Sequence, residues 1–279
     1  MRALSIGARG VLRVVRRAGR WAMAARRAVP SAIIIGAQRA GTTSLFHYLA
    51  AHPQVRAPAI KEVHFFDLGF DRGMRWYRSH FPPRDQVEAT GKMTFEASPY
   101  YMFHPAVPER IARVLPEARL IALLRNPIDR AASQYRHNLK RGCEPLSFAH
   151  AIAAEAGRLA GEEARLRGKP DYVSDRHRQY SYAGRGQYAE QLERWLARFP
   201  RQQLLVIQSE EMFARPAAVY ARVLAFLGLP DHRLTAFDQK NRTASEEPLD
   251  PALRQALARH FEPHNRRLFD LLGTSFDWT

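Results

Sequence analysis

The stretch that decides the fold runs from Ser31 to Leu45 and reads SAIIIGAQRAGTTSL. It opens with an apolar run, rich in β-branched Ile and too short for a helix, which predicts a buried strand. A loop bounded by Gly36 and Gly41 follows, and a helical pattern begins at Thr42. Because the N–H groups and the positive dipole end of a helix N-terminus point at one place, this unit predicts a phosphate cradle.

The spacing of this stretch nearly matches the nucleotide-binding pattern G-x-x-x-x-G-K-[ST]. Gly36, Gly41 and Thr43 fit the pattern, but Thr42 stands where the lysine that grips phosphate is required. The cation lies inside the loop instead, at Arg39. Such a loop is poorly suited to β- and γ-phosphates with magnesium and suits one 5′-phosphoryl group that carries a transferable group. A βα turn whose glycines serve packing alone is the other interpretation.

The charge of the chain is strongly positive. The 279 residues contain 43 basic and 27 acidic residues, a net charge of +16. Eight arginines and no acidic residue fall in residues 1–30, and the remaining 249 residues carry +8. A basic body suits anionic ligands such as nucleotides, acidic glycans or nucleic acid. We expect two parts, a basic leader over 1–30 and one catalytic domain over 31–279.

The leader and the cysteine content bear on location. Residues 1–30 contain no long uncharged run, so they predict neither a membrane-spanning helix nor a secretory signal. The leader is expected to be disordered or to make weak contact with an anionic membrane surface. The single cysteine, Cys143, excludes an internal disulfide framework and a cysteine-based metal cluster. We therefore expect a cytoplasmic location and no metal.

A second motif reads KEVHFFD over residues 61–67. In an extended segment alternate residues share a face, so Glu62 and His64 would point into one pocket. A carboxylate there can take a proton from an acceptor hydroxyl, as a general base must. A surface loop with an ordinary ion pair between Lys61 and Glu62 fits the same residues.

A third motif, RLIALLRNP over residues 119–127, predicts another buried strand that ends at Asn-Pro. Arg125 would lie at the carboxyl end of this strand, where open α/β sheets bind ligands. Ser133 follows two turns into the next helix, so the two side chains would bind a second phosphate together. A strand-end arginine in a structural salt bridge is the alternative.

The remaining pattern alternates strands with helices. Residues 203–207 form a further strand, a polar loop over 171–186 is placed to cover an acceptor cleft, and Asp250-Pro251 begins the last helix. This alternation predicts an α/β fold: a P-loop-like, three-layer domain whose central parallel sheet is flanked by helices.

The order of the motifs resembles the sulfotransferase family, and most of all its heparan sulfate glucosaminyl 3-O-sulfotransferase branch. The motifs include IIGAQRAGTT, KEVHFFD, Glu96-x-Ser98-Pro99, LRNP and the carboxyl-terminal FDW. The resemblance covers about residues 31–279. It implies 3′-phosphoadenosine-5′-phosphosulfate (PAPS) as donor, and an acceptor that carries a hydroxyl on a glycan, a glycolipid or a small metabolite.

The resemblance also implies roles for individual residues. The 5′-phosphosulfate would be held by Gln38, Arg39, Ala40, Gly41, Thr42, Thr43 and Ser44, the 3′-phosphate by Arg125 and Ser133, and the nucleotide would be covered by Lys240, Asn241 and Arg242. Glu62 would be the catalytic base, with His64 beside it in the acceptor site. Two departures stand out: Arg39 replaces the loop lysine of the family, and Ala97 replaces a lysine of the heparan enzymes. The cysteine pair common in the glycan branch is also missing.

Two other functions fit parts of the sequence. A P-loop kinase or NTPase would need a loop lysine and a magnesium-binding Asp after a second strand, and Thr42 and Arg125-Asn126 stand at those positions. A nucleic-acid-binding protein would need aromatic residues along a basic stripe, whereas the charge outside the leader is scattered. The sequence thus favours sulfuryl transfer without nucleic acid as a partner.

Overall fold

A five-stranded parallel sheet forms the centre of the structure, a computed structural model that describes residues 19–240 and 248–278. The strands are β1 (Ala32–Gly36), β2 (Val55–Arg56), β3 (Met93–Ala97), β4 (Arg119–Leu124) and β5 (Leu204–Gln208). Their order is β2-β3-β1-β4-β5, and every neighbouring pair is parallel. The carboxyl ends of all strands therefore lie at one edge of the sheet.

Helices connect the strands. They are α1 (Thr42–Ala50), α2 (Phe65–Leu68), α3 (Gly73–Arg78), α4 (Asp85–Glu88), α5 (Val107–Val114), α6 (Pro127–Lys140), α7 (Phe148–Leu159), α8 (Glu162–Gly168), α9 (Asp175–Gln179), α10 (Tyr188–Leu196), α11 (Ser209–Ala214), α12 (Pro216–Leu227) and α13 (Pro251–Leu272). Short 3₁₀ turns lie at Ala24–Arg26, Phe70–Arg72, Gly184–Gly186 and Arg201–Gln203. The predicted α/β architecture with a central parallel sheet is confirmed.

The core forms around the two most apolar strands. Every residue of β1 is buried, as is all of β4 after Arg119, because these strands have neighbours on both sides and helices over the sheet. Trp195 of α10 is fully buried in the same cluster. The continuous apolar runs of the sequence thus correspond to strands that are covered on both faces, as expected for a parallel sheet.

Two strands escaped the sequence interpretation. β2 has only two residues, and β3 carries a fully buried carboxylate, Glu96, inside the strand. The apolar pattern that marks a buried strand is broken by that charge, so the sequence predicted no strand there. Helix α11 was also missed, whereas the starts of α6 and α13 are confirmed: Asn126 and Asp250 cap them and proline follows each cap.

Part of the expected leader is packed on the domain. Ala24 and Ala28 are buried, the Ala28 amide donates to the Pro82 carbonyl (3.0 Å), and Arg27 forms a bridge with Pro83. The packed chain therefore begins before the predicted boundary at residue 31. Residues 1–18 of the leader lie outside the described residues.

Candidate active site

A phosphate loop joins β1 to α1, as the sequence predicts. Gly41 precedes the first turn of α1 with φ 91°, in the left-handed region that favours glycine. A Cβ atom at this position would lie 2.6 Å from the Cε atom of Met212 and 2.8 Å from the ring of Phe213. Gly41 is thus required both for its backbone conformation and for the close packing of α11 against the loop.

A cavity of about 1340 Å³ opens at the carboxyl edge of the sheet, in front of the α1 N-terminus. Ten of the predicted site residues line it: Gln38, Arg39, Gly41, Thr42, Thr43, Glu62, His64, Arg125, Ser133 and Lys240. Ala40 and Ser44 are fully buried and are not among the lining residues. Asn241 and Arg242 lie outside the described residues. Residues from five separate segments therefore meet in one place.

Ser44 lies behind the cavity wall. Its Oγ accepts a hydrogen bond from the backbone amide of Lys240 (2.9 Å). The hydroxyl thereby ties the segment that begins at Gln239, which lines the cavity, to the first turn of α1. In this structure the Ser44 hydroxyl therefore contacts that segment, and its predicted contact with the donor stays a prediction.

Arg39 links the two predicted phosphate sites. Its Nε donates to the Oγ of Ser133 (3.0 Å), and Nη1 of Arg125 lies 3.4 Å from the Arg39 carbonyl oxygen. The residues expected to hold the 5′ and 3′ groups of the donor are thus neighbours. The cavity presents positive charge to an anion at this end.

The second motif supplies an ion-pair chain on another wall of the cavity. The His64 Nδ1–H donates to Asp67 Oδ2 (2.7 Å), and His64 Nε2 lies 3.4 Å from Glu62 Oε2. Lys61 Nζ donates to Glu62 Oε1. Asp67, whose side chain is fully buried, therefore orients an imidazole that in turn contacts Glu62.

The charges of this chain shift the pKa values of its members. Burial raises the pKa of Glu62, but the hydrogen bond with His64 and the charge of Lys61 outweigh burial and lower it to about 2. Burial lowers the pKa of His64, but hydrogen bonds to Asp67 and Glu62 raise it to about 10. At neutral pH Glu62 is thus a carboxylate and His64 an imidazolium.

The backbone of the second motif differs from the prediction. The prediction that Glu62 and His64 share a face of an extended segment is wrong, since their φ angles are 63° and 54°. The two side chains meet because the chain turns sharply on both sides of Val63. Among the described residues, the non-glycine positions with positive φ are Arg39, Glu62 and His64. Such conformations concentrate at functional sites, where surrounding contacts hold them.

Several lining residues were not predicted. Asp129, His137 and Arg141 line the cavity together with Ser133. Their spacing of four residues places them on one side of α6 and its C-terminal cap. The spacing from Ser133 was therefore a sequence signal that could have found them.

A buried arginine joins the donor loop to the opposite wall. Arg185 is 2 % exposed, its Nη1 donates to Gln38 Oε1, and its Nη2 donates to the carbonyl oxygens of His177 and Arg178. Burial lowers the pKa of Arg185 to about 9. Arg178 and Gln179 line the cavity. They belong to α9, so the stretch 171–186, predicted as a loop, contains a short helix. Nothing in the local sequence distinguishes Arg185, which is buried, from Arg176, which is exposed in the same polar stretch.

Comparison with known proteins decides the family. A model of the sulfotransferase domain matches residues 30–253. The chain belongs to the sulfotransferase family. Membership confirms the resemblance drawn from the motifs and makes the protein a sulfotransferase. This family uses PAPS as its sulfuryl donor.

The relatives of this sulfotransferase include glycan enzymes. Heparan sulfate glucosamine 3-O-sulfotransferase 6 from Homo sapiens is 31% identical over 276 residues, which cover 91% of this chain and 75% of that protein. A crystal structure of a sulfotransferase from Alicyclobacillus acidocaldarius is 31% identical, with a TM-score of 0.65 over 89% of this chain and 98% of the other.

The predicted cytoplasmic location of the sulfotransferase is wrong. A relative from Dictyostelium discoideum, 27% identical over 90% of this chain and 66% of its own length, is the membrane-associated sulfotransferase kil1. The prediction rested on the single cysteine and on the lack of a long uncharged run in residues 1–30. Cysteine content does not report a compartment, because a chain stable without disulfides folds in either redox environment. No helix within residues 19–240 and 248–278 is long and apolar enough to cross a membrane.

Proposed function

We propose that this sulfotransferase moves the sulfuryl group of PAPS to a hydroxyl of an acidic glycan. The observation that carries the proposal is that Arg39 and Glu62, from motifs 23 residues apart, line one cavity in front of the phosphate loop. In this arrangement the donor lies between the α1 N-terminus and the Arg39–Ser133 pair, and the acceptor lies beside Glu62.

The proposed reaction is a direct in-line transfer. The acceptor oxygen forms a bond to sulfur while the bond from sulfur to the bridging phosphate oxygen breaks. The acceptor proton passes to Glu62, and adenosine 3′,5′-bisphosphate leaves. Positioning and electrostatics carry the rate, because the protein forms no covalent bond with the substrate.

Glu62 is ionised at neutral pH, so its basic form is present before the acceptor binds. Its low pKa makes it a weak base in the free enzyme. The bound donor and acceptor would exclude water from a side chain that is 41% exposed in the free protein, and desolvation raises the pKa of a carboxylate. Binding of both substrates thus increases the basicity of Glu62.

Arg39 is assigned to the leaving group. Charge accumulates on the bridging oxygen as the bond to sulfur breaks, and a guanidinium in place before the reaction stabilises that charge without reorganisation. The hydrogen bond to Ser133 supports Arg39 in this position.

Charge also argues for an acidic acceptor. Six cationic side chains line the cavity at neutral pH, namely Arg39, His64, Arg125, Arg141, Arg178 and Lys240, against the carboxylates of Glu62, Asp129 and Glu210. Ala97, which replaces a lysine of the heparan enzymes, is fully buried and is not a lining residue. The acceptor cations of this chain would therefore be Arg141, at the C-terminal cap of α6, and Arg178, within α9.

The test combines a variant with two measurements. Glu62→Gln is expected to lower sulfate transfer by about 10²–10⁴-fold, while calorimetry shows unchanged binding of adenosine 3′,5′-bisphosphate. Glu88→Gln, a carboxylate in an exposed pair with Arg84, serves as the matched control. Full activity of Glu62→Gln would disprove the base, and tighter binding of ATP than of the bisphosphate would disprove the donor.

The acceptor is tested by offering PAPS with heparan sulfate, a neutral glycolipid or a simple phenol. Transfer to heparan sulfate should be fastest and should weaken as salt rises, because exposed charge pairs are screened. Faster transfer to the phenol would contradict the acidic acceptor and leave the donor assignment intact.

A further inference from the structure

Glu96 lies at the centre of a hydrogen-bond cluster that the reaction as proposed does not use. This carboxylate of β3 is completely buried. It accepts hydrogen bonds from three hydroxyl groups: Tyr77 (2.5 Å to Oε2), Ser98 (2.9 Å to Oε1) and Tyr101 (2.6 Å to Oε1). Burial of a carboxylate costs free energy even when it is hydrogen-bonded, which indicates that Glu96 does more than fill space in the core.

The carboxylate sets the direction of these hydrogen bonds. Both hydroxyls donate to the same oxygen, Glu96 Oε1. A carboxyl oxygen that carries no proton only accepts, so Ser98 and Tyr101 both point their hydroxyl hydrogens at Glu96. Their oxygen lone pairs are then available to accept on the other side. They accept from three consecutive backbone amides: His64 donates to Ser98 Oγ (3.1 Å), and Phe65 and Phe66 donate to Tyr101 Oη (2.9 and 3.2 Å).

These three amides belong to the turn that carries the proposed base. His64 is the N-cap residue of α2, its side chain makes no capping hydrogen bond, and α2 is only four residues long. Ser98 and Tyr101 thus take the place of a side-chain cap. The Glu62 amide also donates to the carbonyl of Ala97 (3.0 Å). Four of the five amides from Glu62 to Phe66 are therefore bonded to the end of β3 or to the residues that follow it.

A turn with two non-glycine residues at positive φ does not hold itself, because each such residue is strained and persists only where its surroundings impose it. The hydrogen bonds that the amides of this turn make with Ala97, Ser98 and Tyr101 lead to β3 or to the hydroxyl groups that contact its Glu96. Burial also raises the pKa of Glu96 to about 7, although the three hydroxyl hydrogen bonds oppose this shift. A carboxyl group so perturbed is a frequent feature of functional sites.

We propose that Glu96 is a positioning residue, which holds Glu62 and His64 in reactive geometry through the hydroxyl groups of Ser98 and Tyr101. The inference rests on the proposed role of Glu62 as base. In this proposal the buried carboxylate orients the two hydroxyl groups so that they accept hydrogen bonds from the amides of the turn. The turn then keeps its strained backbone conformation while substrates bind and products leave.

Two tyrosine variants separate positioning from general stability. Tyr101→Phe removes the hydroxyl that accepts from two backbone amides of the turn. Tyr77→Phe removes another hydroxyl that donates to Glu96, but this hydroxyl forms no hydrogen bond with those amides. We expect kcat to fall about 10–100-fold for Tyr101→Phe, as for a small displacement of a catalytic group, and to change less than about twofold for Tyr77→Phe. The dissociation constant of adenosine 3′,5′-bisphosphate should stay within about twofold in both.

Two further variants keep the test conclusive. Ser98→Ala removes the acceptor of the His64 amide and should also lower kcat if Tyr101→Phe does not fold. Glu96→Gln retains one acceptor oxygen for Ser98 and Tyr101 and should keep more activity than either hydroxyl deletion.

The outcomes are distinct. Equal losses in Tyr101→Phe and Tyr77→Phe, or no loss in Tyr101→Phe and Ser98→Ala, would overturn the positioning role. A parallel loss of bisphosphate affinity would do so as well, because the donor site would then be disturbed. Activity of Glu62→Gln, measured alongside, reports on the base itself: if that variant is inactive while Tyr101→Phe is normal, only the positioning inference fails.

Discussion

The substitution Asp67→Asn tests the charge chain of the active site. Asp67 Oδ2 accepts the Nδ1–H of His64, and its Oδ1 accepts the Leu68 amide (2.7 Å). Asparagine keeps the volume and the second acceptor, but it removes the charge that faces His64. The pKa of His64 should therefore fall from about 10 toward its ordinary value of 6.5.

The magnitude follows from the pKa of His64. Its rise from 6.5 to about 10 corresponds to about 5 kcal/mol at about 1.4 kcal/mol per unit, shared by Asp67 and the more exposed Glu62. Asp67 is fully buried and forms the shorter contact, so we assign it about 2–3 kcal/mol after solvent screening of the rest. Because the folded-state pKa is raised, this stabilisation is complete below pH 6.5 and is lost as pH rises through about 10.

Two measurements check this prediction. Urea unfolding of the wild type and of Asp67→Asn should give free energies that differ by about 2–3 kcal/mol near pH 6 and converge towards pH 10. Titration of the His64 ring by NMR should show its pKa lower in the variant by about two units. Asp270→Asn, at an exposed position of α13, is the matched control and should match the wild type at each pH.

Two results would refute the reasoning. One is a stability difference that does not change between pH 6 and pH 10, since titration of His64 would then not be its cause. The other is a His64 ring that still titrates near pH 10 in Asp67→Asn, which would place the stabilising charge on Glu62 alone.

The remaining predictions concern the donor side. Arg39→Ala should lower kcat by about 10²–10³-fold, the usual loss for a positioned charge or donor at a developing anion. Arg39→Lys keeps the positive charge and should stay within about tenfold of the wild type. Equal losses for the two variants in single-turnover assays would contradict the leaving-group role. Ser44→Ala releases the Lys240 amide and should weaken bisphosphate binding by about five- to tenfold, or about 1 kcal/mol, in calorimetry; unchanged affinity would show that this hydrogen bond does not position the nucleotide-side segment.

Local signals in the sequence predicted most elements that bear on the donor. The isoleucine run of β1, the Gly36–Gly41 loop and the proline-led start of α6 are each defined by residues close together in the chain. The family motifs added the catalytic candidates. Because these features depend on neighbours within about one turn or strand, a linear reading recovers them.

The sequence interpretation failed where a residue depends on distant partners. The buried position of Glu96 was not predicted, since its hydroxyl partners include Tyr77, which is 19 residues away in the chain. Arg185 is 147 residues from Gln38, and no local pattern connects them. Burial of a charge is stable only with partners in place, and the fold alone supplies those partners.

By itself the sequence determined a basic chain and a strand, glycine loop and helix unit without the usual lysine. It also predicted that this unit binds phosphate and that two further motifs supply an acid–base group and a second anion site. The tertiary structure alone decided that these motifs line one cavity and that Glu62 and His64 meet through a left-handed turn instead of along a strand. The physical reason is that backbone strain at Glu62 and His64 is held by contacts to β3. Those contacts exist only once the parallel sheet brings the carboxyl ends of its strands together.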